Sequence, residues 1–530
     1  MALAAFGLMV SPAWAETYYV DEGSIGGPCD DARTAAQARS AGTPWCSPAR
    51  ALGAAPEGAT VVMRAGVYSN IRAVNIARSQ MLTFKAAWGE GVTLTGGADL
   101  EGRAIYMSGS RNLRFEGFKV TGGAYIRDSS FVELSGNEIT TTGLRLRNVA
   151  DALVEGNEFR DFFGGARALE ATGNTGEPGV RRLTIRGNEL HRIQHDAIAL
   201  YWRLENVVVE DNYIHNVQRP AGSDLHPDAI QIAPQSEGAW GSVIVRRNRV
   251  IGCDQGLLVK DGTTRGLVVE NNVIDNCEFF EAHIYNAPGA KFLNNTIDGR
   301  LYFREGATGI TALNNIVSTM PVDPAASIAL GNFNIVDRSR YNPGYQPGPN
   351  DLDGTASFVD VAGNDYRLAA GSIGIDDATS QGIPDHDLRG LARVDDPNTP
   401  NAGGGPVAYF DRGAYEHAAQ AEPAPEPDPE PEPEPAPLAA SFTYAPTSPV
   451  AGEEVTFDAT ASTCADSPCS YVWEDDGTDG SGGTQWSLGT GETMAFTFSG
   501  AGDKHVRLVV TDAQGRSDST VQTVAVAEPT

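Results

Sequence analysis

Residues 134–139 read LSGNEI, and the phrase returns as VEGNEF (154–159), IRGNEL (185–190), VEDNYI (209–214), VRRNRV (245–250), VENNVI (269–274), LNNTI (293–297) and LNNIV (313–317). Each copy is an apolar residue, one or two small or polar residues, an asparagine, and a second apolar residue just beyond. The asparagines are Asn137, Asn157, Asn188, Asn212, Asn248, Asn272, Asn295 and Asn315, spaced 20, 31, 24, 36, 24, 23 and 20 residues apart. So short and loose a period is the signature of a solenoid. The runs between the asparagines alternate apolar and polar residues, as in LRLRNV, and Gly, Asn and Asp bound them after a few residues, so they read as strands. With one coil per repeat, equivalent strands stack about 4.8 Å apart in parallel sheets whose inner faces fill the core. The recurrent Asn is expected at a corner, where it accepts left-handed backbone and bonds to the Asn of the next coil.

Phasing the coils gives the strands GAYIR, GLRLR, DAIAL, DAIQI, QGLLV, EAHIY and RLYFR after the Asn corner. Their inward residues are apolar, so the alternate ones point outward: Tyr125, Arg127, Arg145, Arg147, Tyr201, Arg203, Gln231, Lys260, His283, Tyr285, Tyr302 and Arg304. This is a strip of arginine and tyrosine on a chain of net charge -29. It suits a groove for an anionic chain with rings to pack on sugars, and it would equally suit solvated strand faces. The two longest spacings, 31 and 36, imply loops inserted at FGGARALEATGNTGEPG and at VQRPAGSDLHP with APQSEGAWG. Insertions in a solenoid gather on its binding face. Five of the eight histidines, His191, His195, His215, His226 and His283, lie in the same central third.

The densest local signal is SDLHPDAIQI (223–232), preceded one coil earlier by HDAIAL (195–200). Asp196 and Asp228 should therefore stack, with Asp254 and Glu281 near the same column. Carboxylates about 5 Å apart repel, so either one holds a proton or a cation sits among them. Calcium suits such an oxygen cluster. Lys260 closes the strand QGLLVK, and lysine supplies only five of the 39 basic residues.

The Asn-marked coils resemble the right-handed parallel β-helix superfamily that contains pectate lyases, over roughly residues 55–417. That superfamily also holds hydrolases, epimerases, tailspikes and adhesins, so the resemblance implies fold before reaction. The acidic cluster with Lys and Arg resembles its calcium-dependent uronate lyases. There a cation or Arg neutralises the substrate carboxylate, a basic side chain removes the C5 proton, and the C4–O bond breaks. Carried onto this chain, the resemblance makes Lys260 the base and Arg203 a neutralising group, with Tyr201, His226 or Tyr285 as proton donor. Calcium would be held by Asp196, Asp228, Asp254 and Glu281. Without calcium, His226 or His195 becomes the better base, because an imidazole titrates near neutrality. Arg127, Arg145, Arg147, Gln231, His283, Tyr302 and Arg304 would bind substrate. The WiDH motif of many pectate lyases is absent, as are the NTD, DD, GHG and RIK motifs of polygalacturonases and the DPHD motif of alginate epimerases. The expected activity is β-eliminative cleavage of an alginate- or pectate-like uronate polymer. A glycoside hydrolase, a uronate C5-epimerase and a non-catalytic adhesin stand as alternatives.

The ends of the chain frame this region. Residues 1–15, MALAAFGLMVSPAWA, are apolar and end in a small-x-small pattern, the mark of a signal peptide cleaved before Glu16. Export to the periplasm, cell surface or medium makes disulfides permissible, and the six cysteines fall into three local pairs: Cys29 with Cys46, Cys253 with Cys277, and Cys464 with Cys469. Cys253 and Cys277 each follow a repeat Asn by five residues and should stack, either bonded or as two small core residues. SPARALGAA (47–55) reads as a short helix with Ser47 as N-cap and Pro48 in its first turn, capping the β-helix domain of residues 16–420. Asp385, Asp387, Asp411 and Glu416, in the decayed repeats beyond Met320, read as structural. Residues 421–437 form a stiff Pro-Glu linker. From 438 to 530, short alternating strands indicate a β-sandwich; VWEDDG and LVVTDAQGRS resemble a PKD-type immunoglobulin-like module. Residues 421–530 carry 19 acids against 3 bases, which makes nucleic acid an improbable partner. An anionic polysaccharide is the expected partner, with no membrane span and a monomeric chain.

Overall fold

A computed structural model of the chain describes residues 16–23, 28–96, 102–163, 165–174, 176–220, 222–235, 241–417, 438–464, 469–475, 486–511 and 517–529. The expected leader (1–15) and linker (421–437) lie outside them. The chain divides into two compact units, Met1–Gln420 and Ala421–Thr530.

The first unit is a three-faced coil. One face holds thirteen strands from Thr17–Val20 to Ile328–Asn332, every neighbouring pair that is described being parallel. The other two faces share one 20-stranded sheet, because Arg249–Val259, Val273–Ile284 and Thr296–Phe303 run through the bend between them. The opening apolar residue of each repeated phrase stacks in register on the next: Leu134, Val154, Ile185, Val209, Val245 and Val269 form one column. None is more than 1% exposed. Tyr18 and Trp45 stack at the N-terminal end beside the helix Pro48–Ala54. Ser47 accepts a hydrogen bond from the Arg50 amide, as its N-cap position requires.

Beyond each column the chain turns through a left-handed residue. This is not the repeat Asn but the residue before it: Gly136, Gly156, Gly187, Asp211, Arg247, Asn271, Asn294 and Asn314 all have φ between 52° and 62°. The repeat Asn is free to point inward instead. Asn137 donates from its amide Nδ2 to Asn157 Oδ1 (2.9 Å) and to the Phe115 carbonyl (3.0 Å), and the pattern repeats from coil to coil through Asn315. The ladder continues past the sequence-read set to Asn334 and ends on the carboxylate of Asp351. Each rung satisfies backbone groups that a buried corner would otherwise leave unpaired.

Directly after the Asn comes a short strand such as Glu138–Thr140. The strands expected at that point form the third face, one turn later. The segment read as an inserted loop contains the third-face strand Leu169–Thr172. Cys253 and Cys277 are disulfide-bonded across adjacent coils, as are Cys29 with Cys46 and Cys464 with Cys469 locally.

Residues 358–417 fold back over the second face, where Tyr366, Leu388, Ala414 and Tyr415 bury Ile251 and Val273. The three left-handed asparagines hold this tail. Asn271 donates to the His386 carbonyl, Asn294 to the Asp411 carbonyl and Asn314 to the Thr379 carbonyl. Asp387, Asp411 and Glu416 are buried and accept hydrogen bonds from tail amides, whereas Asp385 is exposed and paired with His386.

The second unit is an antiparallel β-sandwich of three and four strands. Phe442, Val455, Phe457, Leu508 and Val524 pack around the fully buried Trp473, whose indole N–H donates to the Gly491 carbonyl.

Candidate active site

On the third face, inward Ile126, Leu146, Leu200, Ile232, Val259 and Ile284 anchor each strand in the core, which turns their neighbours outward in two columns. One runs Tyr125, Arg145, Glu170, Ala199, Gln231, Leu258, His283, Tyr302. The other runs Arg127, Arg147, Thr172 and, farther along, Tyr201, Ala233, Lys260, Tyr285, Arg304. Arg203 lies beyond the strand Ile198–Tyr201, in the turn, where it donates to the Glu177 carbonyl and borders a small pocket with Pro178 and Glu205. It is not brought to Lys260.

The arginines of the first coils are already matched. Arg127 pairs with Asp128 at 2.9 Å, Arg145 with Glu170 at 3.0 Å and Arg147 with Glu177 at 2.5 Å. Arg145 also lies over the Tyr125 ring, 5.5 Å from its centroid. Glu170 and Glu177 come from the stretch read as a loop, so their role in neutralising the strip was not legible.

Two coils on, Asp196 and Asp228 stack as expected, the Asp228 amide donating to Asp196 Oδ1 at 3.2 Å. Asp196 Oδ2 accepts from Arg167 Nε at 2.8 Å and lies 3.2 Å from the Tyr201 hydroxyl. That hydroxyl has one proton and stands between Asp196 and Gln231 Oε1, while Gln231 donates its amide to Asp228. Gln231 is thus buried structure in a polar network rather than an open substrate contact. His195 commits Nδ1 to Asp196, 2.7 Å from its amide nitrogen and 3.2 Å from Oδ2. Burial pushes the Asp196 carboxyl up, but His195 and Arg167 hold it below the usual range. Burial, then the charge of Asp196, drives Asp228 well above it, with Lys260 pulling the other way. Asp228 Oδ1 has no hydrogen-bond partner among the described residues.

The expected four-carboxylate column does not form. Asp228 is in register with Gln255, and Gln255 with Phe280, because Val273–Ile284 carries one extra residue after Cys277. Asp254 therefore sits one residue before the Asp228 position, by the register of Arg249–Val259 on Asp228–Ala233, and Glu281 sits one residue after it, beyond the β-bulge. Asp254, in the middle of the strand Arg249–Val259, is buried beside Arg219 Nε (3.5 Å) and His226 Nδ1 (3.6 Å), and burial raises its carboxyl. Glu281 accepts from the Arg300 amide at 2.6 Å and fills the space that a side chain at Gly299 would take. Burial, with Asp275 and Asp298 adding to it, pushes Glu281 up to about 7. Among the described residues no three His, Cys, Asp or Glu side chains come together as a metal-holding group, and Asp196 has spent its oxygens on Arg167 and the Asp228 amide. These residues do not fit a calcium cage.

What the third face does present is an open cleft of about 350 Å³ lined by Gln255, Leu258, Lys260, Asp261, Phe280, His283 and Tyr285. Among the described residues the Lys260 ammonium has neither a hydrogen bond nor an ion pair. Tyr285 lies one coil on and Arg304 two, in the same column. Arg304 is packed between the Tyr285 and Tyr302 rings (4.8 and 4.5 Å from their centroids) and bonds Asp323 at 3.1 Å, with Tyr302 donating to the same carboxylate at 2.5 Å. His283 is clamped between Phe280, stacked at 3.6 Å, and the edge of Tyr302. Burial and the nearby Arg304 and Arg300 push its imidazole down to about 3, so it is neutral. Phe280 was missed because no alternation rule survives a bulge; Arg167 and Arg219 were missed because they sit in loops.

Residues 73–297 match the family described as right handed beta helix region, and residues 434–527 match the PKD domain. The chain therefore carries a right-handed parallel β-helix followed by a PKD-type immunoglobulin-like domain. No curated protein matches its sequence at a significant level. Among solved structures, it is similar to pectate lyase Pel9A, with 16% identity over 76% of this chain and 96% of that one, at a TM-score of 0.44. An alginate lyase from Paenibacillus sp. str. FPU-7 aligns at 14% identity over 58% of this chain and 97% of that one, TM-score 0.33. PfbA, a surface adhesin of Streptococcus pneumoniae, aligns at 11% identity over 64% and 95%, TM-score 0.34. None of these likenesses is close enough to transfer an activity.

Proposed function

We propose that the protein is an exported polysaccharide lyase that cleaves a uronate polymer by β-elimination at the Lys260 cleft. The observation that carries this reading is the Lys260 amine in an open cleft, without a hydrogen bond or ion pair among the described residues, with a tyrosine and an arginine following it in the same column. In its neutral form, Lys260 Nζ takes the C5 proton of a bound uronate. The C5–H electron pair becomes the C4–C5 double bond and the C4–O4 bond breaks. The departing O4 takes a proton from the Tyr285 hydroxyl. Arg304, two coils from the base and bonded to Asp323, exchanges that carboxylate for the substrate's and balances the charge that builds on it as C5 loses its proton. Arg304 thus takes the part that the sequence assigned to Arg203. Three disulfides and the absence of a helix long and apolar enough to span a membrane among the described residues accord with export.

A second reading has its own observation. Asp196 and Asp228 are stacked carboxyls pushed in opposite directions, which is how acid and base roles divide in glycoside hydrolases. Both are nearly inaccessible, however, at 2% and 1% exposure, whereas Lys260 opens onto the cleft. Incubation with alginate, polygalacturonate and neutral glycans decides between them. Ultraviolet absorbance from a conjugated unsaturated uronate supports elimination. New reducing ends without that absorbance overturn it in favour of hydrolysis.

A further inference from the structure

The cleft contains a second polar group that the protein leaves unused. His283 is 8% exposed, yet no hydrogen bond to either ring nitrogen is made among the described residues, and Nε2 is enclosed without a partner. A buried polar group without a partner is costly, and native proteins keep few of them. The ring cannot relax toward another protein partner, because Phe280 lies flat against one face at 3.6 Å and Tyr302 packs at 5.3 Å, almost perpendicular to it. His283 and Lys260 line the same cleft, in adjacent columns and consecutive coils.

We propose that His283 is a hydrogen-bonding wall of this cleft, whose Nδ1, the ring nitrogen that is not enclosed, takes a hydroxyl of the sugar seated against Lys260 and so discriminates among uronate epimers by the orientation of that hydroxyl. This rests on the lyase reading for the identity of the sugar. A hydroxyl is the fitting partner because it both donates and accepts, and so matches either neutral tautomer of the ring. A carboxylate could only accept, and so would match only one of the two tautomers. Rigid clamping is what gives a single hydrogen bond discriminating power, since the ring cannot follow a hydroxyl placed on the other side of the sugar.

Two measurements on the full chain test this. His283→Phe keeps the stacked ring and removes both nitrogens; His283→Gln keeps a hydrogen-bonding group. With oligogalacturonate and oligomannuronate as substrates, His283→Phe should lower kcat/KM about tenfold on the preferred one and less than about threefold on the other, so that the preference narrows. His283→Gln should recover part of it, with melting temperature unchanged in both. Nitrogen-15 NMR of labelled histidine in the Lys260→Ala protein reads binding without chemistry. The His283 resonances should shift when oligogalacturonate or oligomannuronate is added at millimolar concentration. A shift without unsaturated product in the wild type would keep the subsite and sink the lyase reading. Elimination with an unchanged epimer preference in His283→Phe would keep the lyase and sink the subsite. No shift with either oligomer overturns the proposal outright.

Discussion

The early and late coils of the β-helix are built from the same phrase and treat their charges and corners in opposite ways. In the early coils the outward cations, Arg127, Arg145 and Arg147, each meet a carboxylate, and the corner residue before the ladder Asn is an exposed glycine. In the later coils Lys260 has no hydrogen bond or ion pair among the described residues, and the corner residues Asn271, Asn294 and Asn314 are buried and bonded to the tail. Arg145 and Arg147 are matched by carboxylates that a neighbouring coil supplies, so the availability of a strip cation depends on what the next coil brings beside it as well as on its own position on the strand.

The sharpest way to break this comparison is to remove one cation from each half. Lys260→Ala should cut kcat on the true substrate by about 100-fold or more with the fold intact. Arg147→Ala removes an already neutralised, partly exposed pair and should change turnover less than about threefold. Equal losses in steady-state assays would show that the halves work alike.

Corners come next. Asn294→Ala strands the buried Asp411 and Gly413 carbonyls and the Asn314 amide that it now satisfies, so denaturant unfolding of the β-helix unit should register a loss of about 2–3 kcal/mol. Gly156→Asn places a residue that tolerates left-handed backbone at an open corner and should stay within about 0.5 kcal/mol. A large effect at Gly156 would mean that the early corners are more constrained than their exposure implies.

The acidity of the late coils gives a smaller effect. Glu281 is raised from its usual 4.5 to about 7 by burial. The folded state therefore binds a proton more tightly than the unfolded one, so the stability it confers is full below 4.5 and is lost as pH rises toward 7. Thermal melting should fall between about pH 5 and pH 8, and Glu281→Gln should flatten that slope by an amount on the order of 2 kcal/mol. A slope unchanged in Glu281→Gln would assign the pH dependence to other groups. The smallest expected effect is that of chelation. Because the strand register disperses the four carboxylates, turnover should survive a strong chelator; its loss would show that Asp228 and Asp254 recruit a cation the present geometry does not gather.

The sequence alone determined the solenoid, its stacked coils and the outward strip, because the repeated phrase ties an apolar column, a corner and a ladder asparagine into six residues of local chemistry. It also placed Lys260, His283 and Tyr285 on one face, since strand alternation has a period of two and needs no tertiary knowledge. Even the change from GN to NN in the phrase is readable afterwards as the point where the tail docks. Only the tertiary structure decided which cations are free, since Glu170 and Glu177 arrive from a stretch with no repeat phrase of its own. Only it could show that Arg203 lies in a turn beside Glu177 while Arg304 shares the column of Lys260. It also decided the fate of the acidic column: one extra residue after Cys277 shifts every later side chain by one position, and a bulge leaves no trace in a pattern whose period is counted from the corners.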